Sequence, residues 1–215
     1  MEMTLIQKIA IWALPILFAI TAHEVAHGWV ASFFGDQTAR LSGRLTLNPI
    51  KHIDPMGTIF VPIVMLMFSN FIFGWAKPVP VDARNLRNPR TDMIWVAIAG
   101  PTANFIMALI WAAIAKLGIT MSSAWFGRPL MEMGWAGIQI NIVLGVLNCL
   151  PIPPLDGGRV LGNLLPARIS YLFYRFEPFG FMVLIILMLT GILSIILQPP
   201  IVFLIEVLTR LFGLS

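Results

Sequence analysis

Long apolar runs separated by short polar stretches dominate the chain. A helix needs about 20 apolar residues to cross the hydrocarbon core of a bilayer. Runs that approach this length cover residues 4–34, 95–118, 135–150 and 179–197, and a shorter apolar segment covers residues 201–214. The pattern therefore predicts an all-α polytopic membrane protein, built as a helical bundle.

One further apolar run, residues 56–73, is ambiguous. It is about 18 residues long and contains Pro62 and Asn70, so it is barely long enough to span a bilayer. It can therefore either cross the membrane or form a re-entrant segment that enters and leaves on the same side. The polar residues before it, 36–55, contain glycine and proline breakers and predict a loop, with a short strand near residues 44–47.

Composition supports the membrane interpretation. Hydrophobic residues make up 58% of the 215 residues and charged residues 11%, whereas a soluble domain carries about 25% charged residues. The net charge of +4 comes from basic residues scattered through loops, without the basic arm expected of a protein that binds nucleic acid. The only cysteine, Cys149, cannot form an internal disulfide. The chain is expected to form one domain, residues 1–215, with the first apolar run retained as a membrane span.

Two histidines and a glutamate interrupt the first apolar run, in the stretch "AITAHEVAHGWVASFFG". On a helix His23 and His27 lie on one face, one turn apart, so both imidazoles can bind one zinc ion. Glu24 lies beside them as a general base for the water that zinc activates. A lone histidine at this depth would more simply be a hydrogen-bonded packing residue, but three ionisable groups together are costly there unless paired or metal-bound.

A catalytic zinc site usually has three protein ligands, so the chain must supply one more. The candidates are His52, Asp54, Asp82, Asp92, Asp156 and Glu177. Asp156 differs from the others because "NCLPIPPLDGGR" connects it to an apolar helix through three prolines, which makes a rigid backbone near the membrane interior. Its alternative role is to cap the following helix, but the incomplete zinc site favours the role of ligand.

The direction of the helices is consistent with this ligand set. If Asp156 meets His23 and His27, the two helices that carry them must end on the same side of the membrane, which holds if residues 56–73 are re-entrant. The loops 35–92 and 155–177 then share one side and hold ten of the 14 basic residues. Because basic loops favour the cytoplasm, the site is expected to open there, with the N-terminus outside.

Three motifs in this order resemble the site-2 protease family of intramembrane zinc metalloproteases: "HEVAH", "AGPTANF" and "NCLPIPPLDGG". The resemblance covers about residues 15–165, with C-terminal helices at 166–215. It implies zinc ligation by His23, His27 and Asp156, and Glu24 as the general base. It also matches "GWAKPVPV", residues 74–81, to a short membrane-associated β element that offers an edge to substrate, which makes Trp75, Lys77, Pro78 and Val79 candidate substrate contacts.

Other residues in these motifs have weaker assignments. Asn104 can donate its amide to substrate or to the oxyanion, or it can hold helices together. Asn148 is carried over from the family as a neighbour of the active site. Gly100 and Pro101 are expected to permit close approach of helices, and His52 is expected to be solvated or structural.

The predicted function is that of an intramembrane endopeptidase with one Zn²⁺ per chain, acting on transmembrane proteins or peptides in a bacterial cell membrane. The chain is expected to lie in the lipid bilayer and to bind no nucleic acid. A homo-oligomer and a monomer are both compatible with the sequence. The alternatives are a membrane metal carrier or sensor and an inactive scaffold. Neither has a use for Glu24 as a base, so the residue argues for the enzyme.

Overall fold

The computed structural model describes residues 4–60 and 77–214, and most of these residues are helical. The α-helices of the described part, in chain order, are α1 (Leu5–Phe33), α2 (Thr38–Leu41), α3 (Pro89–Thr120), α4 (Gly127–Asn148), α5 (Asp156–Leu164), α6 (Ala167–Arg175), α7 (Glu177–Leu189) and α8 (Ile192–Phe212). Shorter turns are a 3₁₀-helix at Pro49–His52, a π-helix at Pro55–Phe60 and a 3₁₀-helix at Ala83–Asn85.

Four of the described helices, α1, α3, α4 and α8, are long and apolar enough to cross a membrane. The bent pair of α6 and α7, whose axes differ by 62°, raises this number to five if it forms one span. The predicted all-α, polytopic architecture is confirmed at this level.

The prediction of one span at residues 179–197 and a separate short segment at residues 201–214 is wrong. Gly191, with a φ of +75°, separates α7 from α8, because glycine adopts this left-handed conformation without steric cost. The final helix then runs from Ile192 to Phe212 through Pro199 and Pro200. Residues 179–197 are therefore not one span, and residues 201–214 are mostly the second half of α8 rather than a separate short segment.

The predicted β elements are not confirmed. No strand occurs among the described residues, and residues 44–47 are irregular, with a bend at residues 46 and 47. Of residues 74–81, only 77–81 are described, and they have no regular secondary structure. Pro78 and Pro80 lack the N–H groups that a ladder needs, and the guanidinium of Arg44 binds the carbonyl oxygens of Lys77 and Pro78.

The long helix α3 is the centre of the bundle. It packs against α1, α4 and α5, and α4 also packs against α1 and α8. The contact between α3 and α4 is lined by the small side chains of Ala108, Ala112 and Ala115, with Ile138 and Ile142 opposite. Small residues allow helix backbones to approach closely in a bilayer, where packing rather than hydrophobicity drives association. This arrangement places α3 directly beside the polar face of α1.

Asp36, just after α1, joins two parts of the chain that are distant in sequence. Its buried carboxylate accepts hydrogen bonds from the N–H of Asp82 at 2.7 Å and from the amide of Asn85 at 3.1 Å, as well as from Thr38. Burial alone would raise the pKa of Asp36, but these hydrogen bonds outweigh burial and lower its pKa. Residue 82 therefore lies at the same end of α1 as residue 36. The predicted re-entrant course of residues 56–73 falls mainly outside the described residues, which omit 61–76.

Candidate metal centre

Three buried side chains from two helices meet at one point. His23 and His27 lie one turn apart on α1, and Asp156 is the first residue of α5. The Nε2 atoms of the two histidines are 3.0 Å apart, and they lie 3.1 and 3.2 Å from Oδ2 of Asp156. Ligand atoms that bind one tetrahedral zinc ion at its usual bond lengths are roughly 3.3 Å apart. The triangle of atoms therefore has the size of three zinc ligands.

Hydrogen bonds behind the imidazoles determine which ring nitrogen carries the proton. Nδ1 of His27 lies 2.7 Å from the carbonyl oxygen of Val96, which can only accept. Nδ1 of His23 lies 2.7 Å from Oδ1 of Asn104, whose amide nitrogen donates to the carbonyl oxygen of Ala19 at 3.1 Å. Both histidines therefore donate from Nδ1, and both present an Nε2 lone pair toward Asp156.

The third atom of the triangle is also an acceptor. Oδ2 of Asp156 is buried and has no hydrogen-bond donor in the described part of the chain. Three lone-pair-bearing atoms would then face one another at 3.0 to 3.2 Å, which is unfavourable in a buried site unless a cation lies between them. Imidazole nitrogens and a carboxylate oxygen are common zinc ligands. The residues present therefore fit a zinc ion with three protein ligands.

Gly100 of α3 forms the floor of this site. A Cβ atom at this position would lie 2.4 Å from Nε2 of His27 and 2.6 Å from Cε1 of His23. Such distances are too short for any side chain, so only glycine leaves room for both imidazoles. The absence of a side chain also brings His27 close enough to bond the carbonyl oxygen of Val96, one turn earlier on α3.

Among the described residues, only Asp156 joins the two histidines in a cluster that could hold a metal ion. It is not the N-cap of α5, because that position is Leu155. Its carboxylate nevertheless lies at a helix N-terminus, where the helix dipole favours negative charge. The position thus favours an ionised carboxylate directed at α1.

Within the described part of the chain, none of the other candidates for the third ligand joins this cluster. The carboxylates of Asp54 and Asp92 accept backbone N–H groups at the starts of neighbouring helical turns. Hydrogen bonds from Arg84 lower the pKa of Asp82 to about 2. His52 is buried and donates from Nε2 to the carbonyl oxygen of Thr46 at 2.9 Å, so it is structural rather than solvated. Glu177 is the exposed first residue of α7.

Glu24 contacts the segment that was predicted to offer an edge to substrate. Its Oε2 accepts a hydrogen bond from the N–H of Val79 at 2.7 Å. The N–H of Lys77 donates to the carbonyl oxygen of His52 at 3.0 Å, while Arg44 binds the carbonyl oxygens of Lys77 and Pro78 at 2.9 and 3.3 Å. Residues 77–79 are thus held beside the predicted base. Trp75 lies outside the described residues.

The two asparagines that the sequence suggested as site residues both donate hydrogen bonds to helix groups. Asn104 is fully buried behind His23, and both N–H groups of its amide are bonded, to Ala19 and to Asn141. Asn148 is the last residue of α4 and donates to the carbonyl oxygen of Leu144 at 3.0 Å.

Sequence reasoning did not single out Asn141, which is fully buried in α4. A signal for it existed, because an asparagine in the apolar run 135–150 is costly at membrane depth unless its amide is paired.

Comparisons with known proteins identify a family that the chain matches. The sequence profile described as peptidase family M50 matches residues 11–127 and 114–191. The candidate zinc metalloprotease YwhC of Bacillus subtilis (strain 168) is 40% identical over 190 residues, which cover 86% of this chain and 83% of YwhC. The candidate zinc metalloprotease Rip2 of Mycolicibacterium smegmatis is 30% identical over 183 residues, which cover 83% of this chain and 66% of Rip2. Zinc metalloprotease MJ0392 of Methanocaldococcus jannaschii is 23% identical over 164 residues, which cover 76% of this chain and 37% of that protein. No solved structure gives a significant match.

Proposed function

This chain belongs to peptidase family M50, and we propose that it is a zinc endopeptidase that cleaves membrane proteins in or near their transmembrane segments. Family membership confirms the resemblance to site-2 proteases. The observation that carries the proposal is the convergence of three buried acceptor atoms, from His23, His27 and Asp156, with Glu24 following His23 on α1. We propose that the whole chain, residues 1–215, acts as one catalytic domain.

In this proposal, His23, His27 and Asp156 hold the zinc ion. When bound, zinc polarises the scissile carbonyl and makes water a stronger acid. Glu24 accepts the proton of the attacking water and later delivers it to the leaving amine. Oε2 of Glu24 accepts the N–H of Val79, so we propose that Oε1 takes the proton.

Substrate is proposed to bind along residues 77–79. A transmembrane helix has its carbonyls hydrogen-bonded internally, so it must unwind before a peptide bond can be attacked. An unwound stretch can add its backbone beside an extended segment. Support for this placement comes from the contact between Val79 and Glu24, which brings the segment to the base, and from the exposure of Lys77 and Pro78. Trp75 is proposed as an interfacial anchor and Asn148 as a neighbour of the site.

The chain is an integral, multi-pass membrane protein. We propose the bacterial cell membrane as its location, with the site open to the cytoplasm and the N-terminus outside. Two of the relatives above come from bacteria. With residues 56–73 proposed as re-entrant, ten of the 14 basic residues lie in loops on the side of the site, and basic loops favour the cytoplasm.

The first prediction is that zinc-dependent cleavage occurs in purified protein. In liposomes, the wild-type chain should cut a tagged single-span peptide within or next to its apolar stretch, with the cut mapped by mass spectrometry. Chelation of the metal should abolish cleavage and added Zn²⁺ should restore it, because the hydrolysis needs the polarised carbonyl.

The alternatives give different outcomes in the same assay. A metal carrier or an inactive scaffold would bind zinc but leave a panel of single-span peptides intact. Cleavage that persists unchanged after complete metal removal would contradict the zinc mechanism.

The second prediction concerns Asp156. An Asp156→Ala variant should lose most of its zinc, because two imidazoles alone hold the ion weakly, and metal analysis of the detergent-purified protein measures this. Asp82→Ala is a matched control, since it removes a carboxylate that binds Arg84 rather than the cluster. Full zinc occupancy in Asp156→Ala would remove this residue from the ligand set.

A further inference from the structure

A buried amide in the centre of the bundle is not used by the mechanism above. Asn141 is fully buried in α4, on the face that packs against α3. An unpaired amide at this depth would be strongly unfavourable, because the bilayer core has no water to satisfy its polar atoms. The position therefore needs an explanation in terms of its partners.

Two hydrogen bonds fix the orientation of the Asn141 amide. Its Nδ2 donates to the carbonyl oxygen of Gly137 at 2.8 Å, within α4. Because a carbonyl only accepts, Nδ2 must face Gly137, and Oδ1 must face α3. There Oδ1 accepts a hydrogen bond from Nδ2 of Asn104 at 3.0 Å.

The same bond restricts Asn104. The Nδ2 group of Asn104 has two hydrogens, and Ala19 and Asn141 accept one each. With both hydrogens bonded, the amide cannot rotate or exchange its ends, and Oδ1 stays 2.7 Å from Nδ1 of His23. A continuous chain of hydrogen bonds thus runs from α4 through α3 to the back of a zinc-binding imidazole.

We infer that Asn141 is a positioning residue for the zinc site, which acts through Asn104 to keep His23 in the tautomer and orientation that present Nε2 to the metal. Partners behind a metal-binding histidine typically change metal affinity by about 10- to 100-fold. Asn141 is one residue further away, so its effect lies at or below the lower end of that range. This inference rests on the proposed zinc site.

The competing explanation is that Asn141 only holds α3 and α4 together, as polar residues in membrane bundles often do. The two roles differ in what they affect. A purely structural contact changes the stability of the metal-free protein and leaves the zinc affinity of the folded protein unchanged. A positioning residue changes zinc affinity, and it does so only while Asn104 is present to transmit the effect.

Zinc affinity is measured in detergent by competition with a chelator of known affinity. Asn141→Leu, which keeps the side-chain volume similar, should weaken zinc binding on the order of 10-fold, with thermal unfolding of the metal-free form recorded alongside. Gln139→Leu is the matched control, because Gln139 is an exposed amide on the same helix and its removal should leave affinity unchanged.

The decisive comparison is a double-mutant cycle. In an Asn104→Ala background, the further change Asn141→Leu should alter zinc affinity by less than about 2-fold, because the connection is already broken. An Asn141→Leu variant with wild-type zinc affinity, or an equal loss with and without Asn104, would overturn the inference. A wild-type protein that binds no zinc would overturn the proposed function itself, so the two failures are distinguishable.

Discussion

A Glu24→Gln variant is expected to retain its zinc and to cleave a transmembrane peptide on the order of 100- to 10,000-fold more slowly than wild type, the usual range for loss of a general base. Glutamine has the same shape, and its Oε1 can still accept the N–H of Val79, which lies 2.7 Å from the carboxylate in the wild type. The change therefore removes the proton acceptor while keeping residues 77–79 in place. Single-turnover cleavage in liposomes and metal analysis of the same sample measure the two quantities.

A companion variant separates base loss from disturbance of the neighbouring segment. Glu24→Ala removes the base and the contact with Val79 together, so it should match Glu24→Gln in rate but bind a non-cleaved peptide more weakly. Undiminished cleavage by Glu24→Gln would contradict the role of Glu24 as base. Loss of zinc in that variant would instead place Glu24 among the metal ligands.

The second large effect is expected at Gly100, where Gly100→Ala should weaken zinc binding by about 100-fold or more, beyond the usual effect of residues behind the ligands. The added Cβ would lie 2.4 Å from Nε2 of His27 and 2.6 Å from Cε1 of His23, so both imidazoles must turn away from Asp156. Alanine is a better helix former than glycine. Helix propensity alone would therefore predict a more stable protein and no loss of zinc affinity. Chelator competition measures the affinity.

Gly134→Ala provides the control for a clash that does not involve the site. Its Cβ would lie 2.5 Å from the backbone nitrogen of Ala115, so it separates α4 from α3 without touching the histidines. This variant should lower the melting temperature of the metal-free protein. The folded fraction of Gly134→Ala should bind zinc more tightly than Gly100→Ala does. Wild-type zinc affinity in Gly100→Ala would show that the histidines reach the metal without the space that glycine provides.

The local sequence pattern was sufficient to predict that the two histidines of α1 lie on one face of that helix. The spacing of His23 and His27 places them on one helix face whatever surrounds the helix, and the structure brings their Nε2 atoms to 3.0 Å. The run of apolar residues was likewise sufficient to predict spanning helices. Apolar content did not predict the break at Gly191, because hydropathy is continuous across it and only the positive φ of the backbone ends α7.

The sequence by itself determined that this protein is a helical membrane protein with a pair of histidines and a glutamate on its first helix, because periodicity and hydropathy are properties of neighbouring residues. Only the tertiary structure decided which groups orient those histidines. Val96 and Asn104 are 69 and 81 residues away from their histidine partners, and Asn141 reaches His23 only through Asn104. Such pairings depend on how α3 and α4 pack against α1, and packing is set by many contacts at once rather than by any local pattern. The contact of Glu24 with Val79 was decided in the same way.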